Sequence, residues 1–292
     1  MSDFQSDTLA VIGVGLIGGS VAAALRRAGR VRHVIGVGRG RANLARALEL
    51  GVIDAVAEDV AAAVKGADAV LIAVPVQQNQ RVLVALANSL EPGTLVTDAG
   101  STKQDFVAAV RHFAPGHLAW IVPGHPIAGA EQTGVDAASV GLFEGRNVVL
   151  TPLPENEAAA VDRVEAMWKA CGAQVIRMTP QRHDRVFSLV SHLPHMLAYT
   201  LVHMIATRPD AEALFGFAAS GFRDFTRIAG SSAEMWRDIA LANREVLLAD
   251  IEAYQQQLAQ LAQRLRQADG AEIERMFEAA RSARNAWIRG GS

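Results

Sequence analysis

Residues 9–20 read LAVIGVGLIGGS. The strand-forming run Leu9 to Ile12 meets Gly13, Gly15 and Gly18 in the G-x-G-x-x-G spacing, and an alanine-rich helical pattern, Val21 to Ala28, follows at once. Strand, glycine turn and helix in that order make a dinucleotide-binding unit. The first glycine permits a tight turn, the second lets a pyrophosphate approach the backbone, and the third lets helix and strand pack closely. The helix N-terminus then presents unpaired N–H groups and a partial positive charge to the phosphates. Gly13, Gly15, Leu16, Ile17 and Gly18 are therefore candidate cofactor-binding residues. A glycine-rich turn in some other α/β protein is the bland alternative, and the placement between strand and helix argues against it.

Outward from this stretch, further apolar runs lie at His33 to Val37, Ala69 to Val74 (ending at Pro75), Thr94 to Thr97 (ending at Asp98), Leu118 to Val122, Asn147 to Thr151 and Gln174 to Met178. Between most of them stand alanine- and leucine-rich helical patterns, such as Arg41 to Leu50. Continuous Val/Ile/Leu strands alternating with helices predict a parallel sheet buried on both faces. Residues 1–180 thus read as a Rossmann-type, doubly wound dinucleotide-binding domain of the α/β class. After Thr179-Pro180 no bounded apolar strand is evident, and residues 181–292 read as an all-α domain. Its clearest element carries Leu247, Ile251, Tyr254, Leu258, Leu261 and Leu265 at alternating spacings of four and three. Such a seam must bury against something, either an intramolecular core or a second subunit.

With 292 residues, half of them hydrophobic and a fifth charged, the chain has the composition of a compact enzyme of two domains. A formal charge of −2 without a basic block argues against a nucleic-acid or membrane-surface binder. The single Cys171 allows no internal disulfide, MSDFQSD has no signal-peptide character, and no apolar run is long enough to span a bilayer. These features predict a cytoplasmic protein acting on a small molecule.

About 20 residues beyond the glycine motif, an Asp or Glu at the end of the second strand ordinarily binds the adenosine ribose hydroxyls. Here the position is Gly38, followed by Arg39, Gly40 and Arg41. An acid repels a 2′-phosphate and an arginine pairs with it, so the pattern predicts NADP, with NAD as the alternative. Arg39 and Arg41 as solvated helix-start residues are the competing explanation.

Ligands of open α/β sheets bind beyond the carboxyl ends of the strands. Pro75-Val76 follows the third run, with Val74 and Pro75 as candidate cofactor contacts, Asp98-Ala-Gly-Ser101-Thr-Lys103 the fourth, and Gly124-His125-Pro-Ile-Ala-Gly129 the fifth. His125, in a short loop between glycines, suits proton exchange with an alcohol, and Ser101 can hydrogen-bond the same hydroxyl. Ser101 and Asp98 also read as caps of a helix over 102–110. Further on, Ser191-His-Leu-Pro-His195 interrupts an apolar helix: His192 and His195 lie three apart, and Pro194 is expected to bend the helix. One of the two histidines is expected to be structural, and no metal-ligand spacing accompanies them. Arg223, Asp224, Arg227, Arg237 and Asp238 among aromatics read as an anion pocket or as a salt-bridge network.

Taken together, GVGLIGGS at 13–20, AVPV at 73–76, DAGSTK at 98–103, GHPIAG at 124–129, SHLPH at 191–195, and GFRDFTRIA with MWRD across 221–238 resemble the prephenate, arogenate and cyclohexadienyl dehydrogenases of tyrosine biosynthesis. The resemblance runs nearly end to end. It implies oxidative decarboxylation, in which hydride leaves the ring carbon bearing the hydroxyl and carbon dioxide leaves the opposite carbon. It further implies that His125 is the catalytic histidine with Ser101 assisting, that His195 binds substrate, and that Arg227 holds a substrate carboxylate. His192 is a further candidate substrate contact. Arg223, Asp184, Glu131 and Trp236 stand where the family keeps a supporting ionic and aromatic network. The helical domain is implied to form a homodimer. The chain length is expected to leave no room for a fused mutase or sizeable regulatory domain. Two departures are Gly38 in place of the acid and Ala130 where some relatives carry a hydroxyl residue.

Two rival classes share parts of this pattern. β-Hydroxyacid dehydrogenases and imine reductases need a lysine or a different acid at the reacting carbon. A non-catalytic dinucleotide-binding sensor would tolerate loss of His125.

Overall fold

The computed structural model of the chain describes residues 4–129 and 132–290. They fall into two compact units, one up to Arg244 and one from Glu245 onward. Ala130 and Glu131 lie outside the described residues.

The first unit opens with β1 (Ser6–Ile12), α1 (Leu16–Arg27), β2 (Val31–Val37), α2 (Arg41–Glu49), β3 (Ala55–Val56), α3 (Val60–Val64) and β4 (Ala69–Ile72). It continues with α4 (Asn79–Ala87), β5 (Leu95–Asp98), α5 (Gln104–Phe113) and β6 (Ile121–Val122). These strands form one sheet in the order β3-β2-β1-β4-β5-β6, and every ladder is parallel. Successive residues of a strand face opposite sides. Accordingly Leu9, Val11 and Leu71 enter one core, and Ala10, Ile12, Val70 and Ile72 the other. Burial on both faces is why these runs are unbroken apolar sequence rather than alternating. The strand order reverses between β1 and β4, which opens a crevice at their carboxyl ends.

At Gly13 and Gly18 the glycine turn follows its reading. Gly13 has φ +99°, and a Cβ there would collide with the Ala73 carbonyl. A Cβ on Gly18 would collide with the Gly13 carbonyl and lie 2.9 Å from Val11 Cγ1, so α1 can lie on β1 only without a side chain there. A Cβ on Gly15 would meet nothing within 4 Å. The helix begins at Leu16, earlier than the alanine run suggested, and no side chain caps it.

Two of the predicted runs lie elsewhere. Pro123 has no N–H to continue the β6 ladder, and the chain turns into β7 (Gly124–Pro126), which pairs antiparallel with β8 (Asn147–Leu150). After α6 (Ala158–Ala170), β9 (Gln174–Arg177) pairs parallel with β8. Runs 147–151 and 174–178 therefore build a separate three-stranded sheet. His125 sits on a short strand, not in a loop.

From α7 (Pro180–Phe187) a π-helical turn, Ser188–His192, leads into α8 (Leu193–Ala206), α9 (Ala211–Gly216), α10 (Ser220–Thr226) and α11 (Ala233–Ala242). Among the described residues no strand follows β9. The irregularity around SHLPH is this π turn. Pro194 falls in the first turn of α8, directly after that π turn. Trp236 and Ile239 of α11 pack on Val76, just after β4.

The second unit holds most of α12 (Arg244–Arg266) and all of α13 (Gly270–Arg289). Asp269 caps α13 by accepting from the Glu272 N–H at 3.2 Å. The leucine seam is only partly covered within the chain: Leu247 is buried, whereas Leu258 is 49% and Leu265 62% exposed. Among the described residues no helix is long and apolar enough to cross a membrane.

The contrast between two glycines gives a test. Gly18→Ala should cost about 1–3 kcal/mol of stability in chemical denaturation through overpacking. Gly15→Ala should leave stability within about 0.5 kcal/mol of the parent while weakening dinucleotide binding, read by titration.

Candidate active site

The site is assembled on Asp98, the buried last residue of β5. Its Oδ2 accepts from the Gly100 N–H at 2.8 Å and pairs with the buried Lys103 ammonium. Its Oδ1 accepts from the Gly124 N–H at 3.0 Å. One carboxylate thus holds the loop after β5, the start of α5 and the residue before His125. It is not the cap of α5 that the sequence also allowed, nor is Ser101: the helix starts at Gln104 and no side chain of its own caps it.

The cap comes from across the fold. Asp184 of α7 accepts from the Lys103 and Gln104 N–H groups, both at 2.9 Å, through Oδ1 and Oδ2 respectively. Its Oδ1 also lies 2.8 Å from His183 Nδ1. Burial pushes the Asp184 carboxyl up, but these hydrogen bonds outweigh it and hold the group below the ordinary carboxylate range. On the far side of the same ring, His183 Nε2 lies 2.8 Å from His125 Nδ1. Burial, and then the charges of His183 and Lys103, hold the His125 imidazole well below the usual histidine range. It is therefore neutral at neutral pH.

His192 is buried and both its ring nitrogens are engaged: Asn243 Nδ2 donates to Nδ1 at 3.2 Å, and the Ser101 main chain accepts from the ring. Burial pulls it down to about 4. His195 is different. Its Nδ1–H donates to the Ser191 carbonyl at 2.8 Å and its ring stacks on Trp236 at 3.5 Å, 19° from coplanar, which leaves Nε2 without a partner among the described residues. Burial lowers its pKa, the Ser191 bond opposes this, and the nearby charge of Arg227 lowers it further.

The structure thus brings His125, Ser101, His192, His195, Trp236 and Arg227 to one side of the sheet's carboxyl edge. Arg223 is not drawn in: it is exposed on α10, and among the described residues no ion pair joins it to these groups. Of the arginines and aspartates read as an anion pocket or a salt-bridge network, Arg237 pairs with Asp238 at 2.6 Å, with Glu234 beside it. His183 was missed by sequence reading. The available signal was its place beside Asp184, four residues before Phe187 on one helical face.

Next to this cluster, at the β1/β4 switch point, lies a cleft of about 950 Å³ lined by Gly13, Gly15, Arg39, Val74 and Pro75. Leu16, Ile17, Gly18 and Ser101 do not line it, and Gln78 and Arg81 at the start of α4, unnoticed in the sequence, do. The open space at Gly15 and the uncapped N-terminus of α1 fit a pyrophosphate. No group of metal-ligating residues occurs among the described residues.

A glycine-cradled cleft beside a neutral, half-buried histidine defines a nicotinamide-dinucleotide-dependent dehydrogenase. Comparison with known proteins narrows this. Residues 21–177 match the family description "Prephenate dehydrogenase, nucleotide-binding domain", and residues 179–279 match "Prephenate dehydrogenase, dimerization domain". The chain belongs to the prephenate dehydrogenase family. It is 38% identical to prephenate dehydrogenase of Bacillus subtilis, over 96% of this chain and 76% of that one. It is 34% identical to cyclohexadienyl dehydrogenase of Zymomonas mobilis, over 94% of each. The crystal structure of Aquifex aeolicus prephenate dehydrogenase with hydroxyphenyl propionate and NAD+ superposes with a TM-score of 0.89 at 32% identity, covering 98% of this chain and 100% of that one.

Burial of these histidines makes stability depend on pH. Unfolded His192 takes up a proton near pH 6.5, whereas the folded one refuses it until about 4. Stability present at neutral pH is therefore lost as pH falls between those values. Asp184, held low, adds in the same direction, its contribution disappearing as pH drops through its folded pKa. Urea denaturation should show about 2 kcal/mol or more less stability at pH 5 than at pH 7. An unchanged midpoint would contradict the burial.

Proposed function

We propose that the chain catalyses the NADP-dependent oxidative decarboxylation of prephenate to 4-hydroxyphenylpyruvate, with His125 as proton acceptor. The observation that carries this is His125 itself, neutral, held at Nδ1 by His183, and placed at the carboxyl edge of the sheet beside the glycine-lined cleft. A bound nicotinamide supplies the hydride acceptor. As hydride departs, the ring oxygen becomes acidic, and its proton moves toward His125. The electron pair of the breaking C–CO2 bond refills the ring, and the proton returns to the oxygen of the new phenol. Aromatisation drives the step, so the protein need supply mainly orientation and one base.

Substrate orientation falls to His195, whose Nε2 is available and whose ring is clamped on Trp236, and to Arg227, a cation for a carboxylate of the dianion. Ser101 assists at the hydroxyl. His192, with both ring nitrogens engaged, serves as scaffold beside them. The domain division that goes with this reading is 1–180 for the dinucleotide and 181–292 for substrate and dimerisation, in a cytoplasmic homodimer. The exposed leucine seam on α12 supports a second copy as its cover.

The cofactor preference rests on the end of β2. Arg39 and Arg81 both line the cleft, and no acid stands at position 38. A Cβ at Gly38 would meet only Leu44 Cδ2, at 3.9 Å, so an acid fits there without strain. Gly38→Asp should shift the ratio of kcat/KM values from NADP toward NAD by about tenfold or more. A parent enzyme that prefers NAD would overturn the assignment.

Assays of prephenate and arogenate with each cofactor test the substrate, and arogenate turnover above that of prephenate would redirect the reading. His125→Asn should lower kcat by about 10²–10⁴-fold with modest change in KM. Arg227→Ala should chiefly raise the KM for prephenate. Undiminished turnover in His125→Asn would remove the mechanism.

A further inference from the structure

We propose that His183 and Asp184 are positioning residues that lock His125 in the tautomer protonated at Nδ1, so that its bare Nε2 faces the reacting hydroxyl. This rests on the reading of His125 as proton acceptor given above.

The assignment follows from donor and acceptor arithmetic along a chain of three hydrogen-bonded side chains. Asp184 is 1% exposed and ionised, so it can only accept. The helix N-terminus of α5 reinforces that state, because two of its free N–H groups and its partial positive charge meet the carboxylate. The ring nitrogen facing Asp184 Oδ1, His183 Nδ1, must therefore carry a hydrogen. A neutral imidazole protonated at Nδ1 is bare at Nε2. His183 is 0% exposed, and burial with the neighbouring Lys103 charge opposes a second proton on it. Its bare Nε2, 2.8 Å from His125 Nδ1, can only accept. His125 then donates from Nδ1 and keeps a lone pair at Nε2. The opposite polarity would require either a cationic His183 or a protonated Asp184, and the buried Lys103 ammonium disfavours the first while the helix N–H groups disfavour the second.

Packing fixes the rings as well as the protons. Phe187, one turn after His183, lies 4.5 Å from the His183 ring and 4.9 Å from the His125 ring, edge-on to the latter. The two histidines cannot slide apart without displacing it. Orientation of a base by a buried carboxylate normally uses a direct contact. Here a second imidazole spans the gap, and no proton needs to reach Asp184.

The test uses the full-length protein labelled with 15N-histidine, with the His125 resonances assigned from their loss in His125→Asn. In the parent, His125 should show a protonated Nδ1 and a bare Nε2. His183→Asn keeps a donor toward Asp184 but is too short to reach His125. It should mix the two His125 tautomers and lower kcat by about 10²-fold, leaving both KM values within about twofold. His183→Gln, whose longer amide oxygen can accept from His125 Nδ1–H, should recover most of that loss and restore the single tautomer. A parent His125 protonated at Nε2 overturns the proposal, and so does His183→Asn with parental kcat or with an unmixed His125 tautomer. If His183→Asn fails to fold, the parental tautomer and the Gln variant decide between the same outcomes. The tautomer readout is independent of turnover, so a failure of the reaction reading, seen as an active His125→Asn, is distinguishable from a failure of this one.

Discussion

The site depends on the buried carboxylate of Asp98. Four consequences meet in it: β5 ends there, the Gly100 amide turns the following loop, Lys103 is drawn in at the base of α5, and Gly124 is held beside His125. A buried ion pair contributes little net stability unless every remaining lone pair and proton is satisfied. Here two backbone amides satisfy the carboxylate, and the Phe106 ring lies 5.1 Å from the Lys103 ammonium. The arrangement is better understood as a geometric specification, in which the carboxyl end of one parallel strand sets the position of a residue on a different sheet.

That transfer between sheets explains which parts of the fold were legible in the sequence. The unbroken apolar runs of β1, β4 and β5 and the G-x-G-x-x-G turn carry local rules, and the structure follows them down to the missing Cβ atoms at Gly13 and Gly18. The runs at 147–151 and 174–178 obey the same local pattern yet join another sheet, because a single missing N–H at Pro123 ends the β6 ladder and no strand pattern reports it. Periodicity says that a strand is apolar, not which neighbour it pairs with. The exposed edge strand β9, with Ile176 in solvent, shows the cost of treating every such run as core.

The same limit applies to the site. His125, Ser101, His195, Trp236 and Arg227 were readable because they stand in short motifs with recognisable chemistry. His183 was not, since its importance comes from contacts with residues 58 positions before it and one after it. Nor was the origin of the α5 cap, which crosses 80 and 81 positions from Asp184. Arg223 sits in a telling motif, yet it is exposed on α10. Composition near an arginine does not say where the helix turns it.

The π turn at Ser188–His192 accommodates one residue more than an α-helix would over the same span, and His192 closes it. Removing a residue there would restore regular hydrogen bonding between α7 and α8. It would also rotate everything downstream by about 100° relative to α7. The His183 and Phe187 rings on α7 would then face away from the His192 and His195 rings beyond the turn. Local regularity and a working constellation are therefore opposed in this segment. Over evolutionary time such a stretch should accept changes of residue far more readily than changes of length.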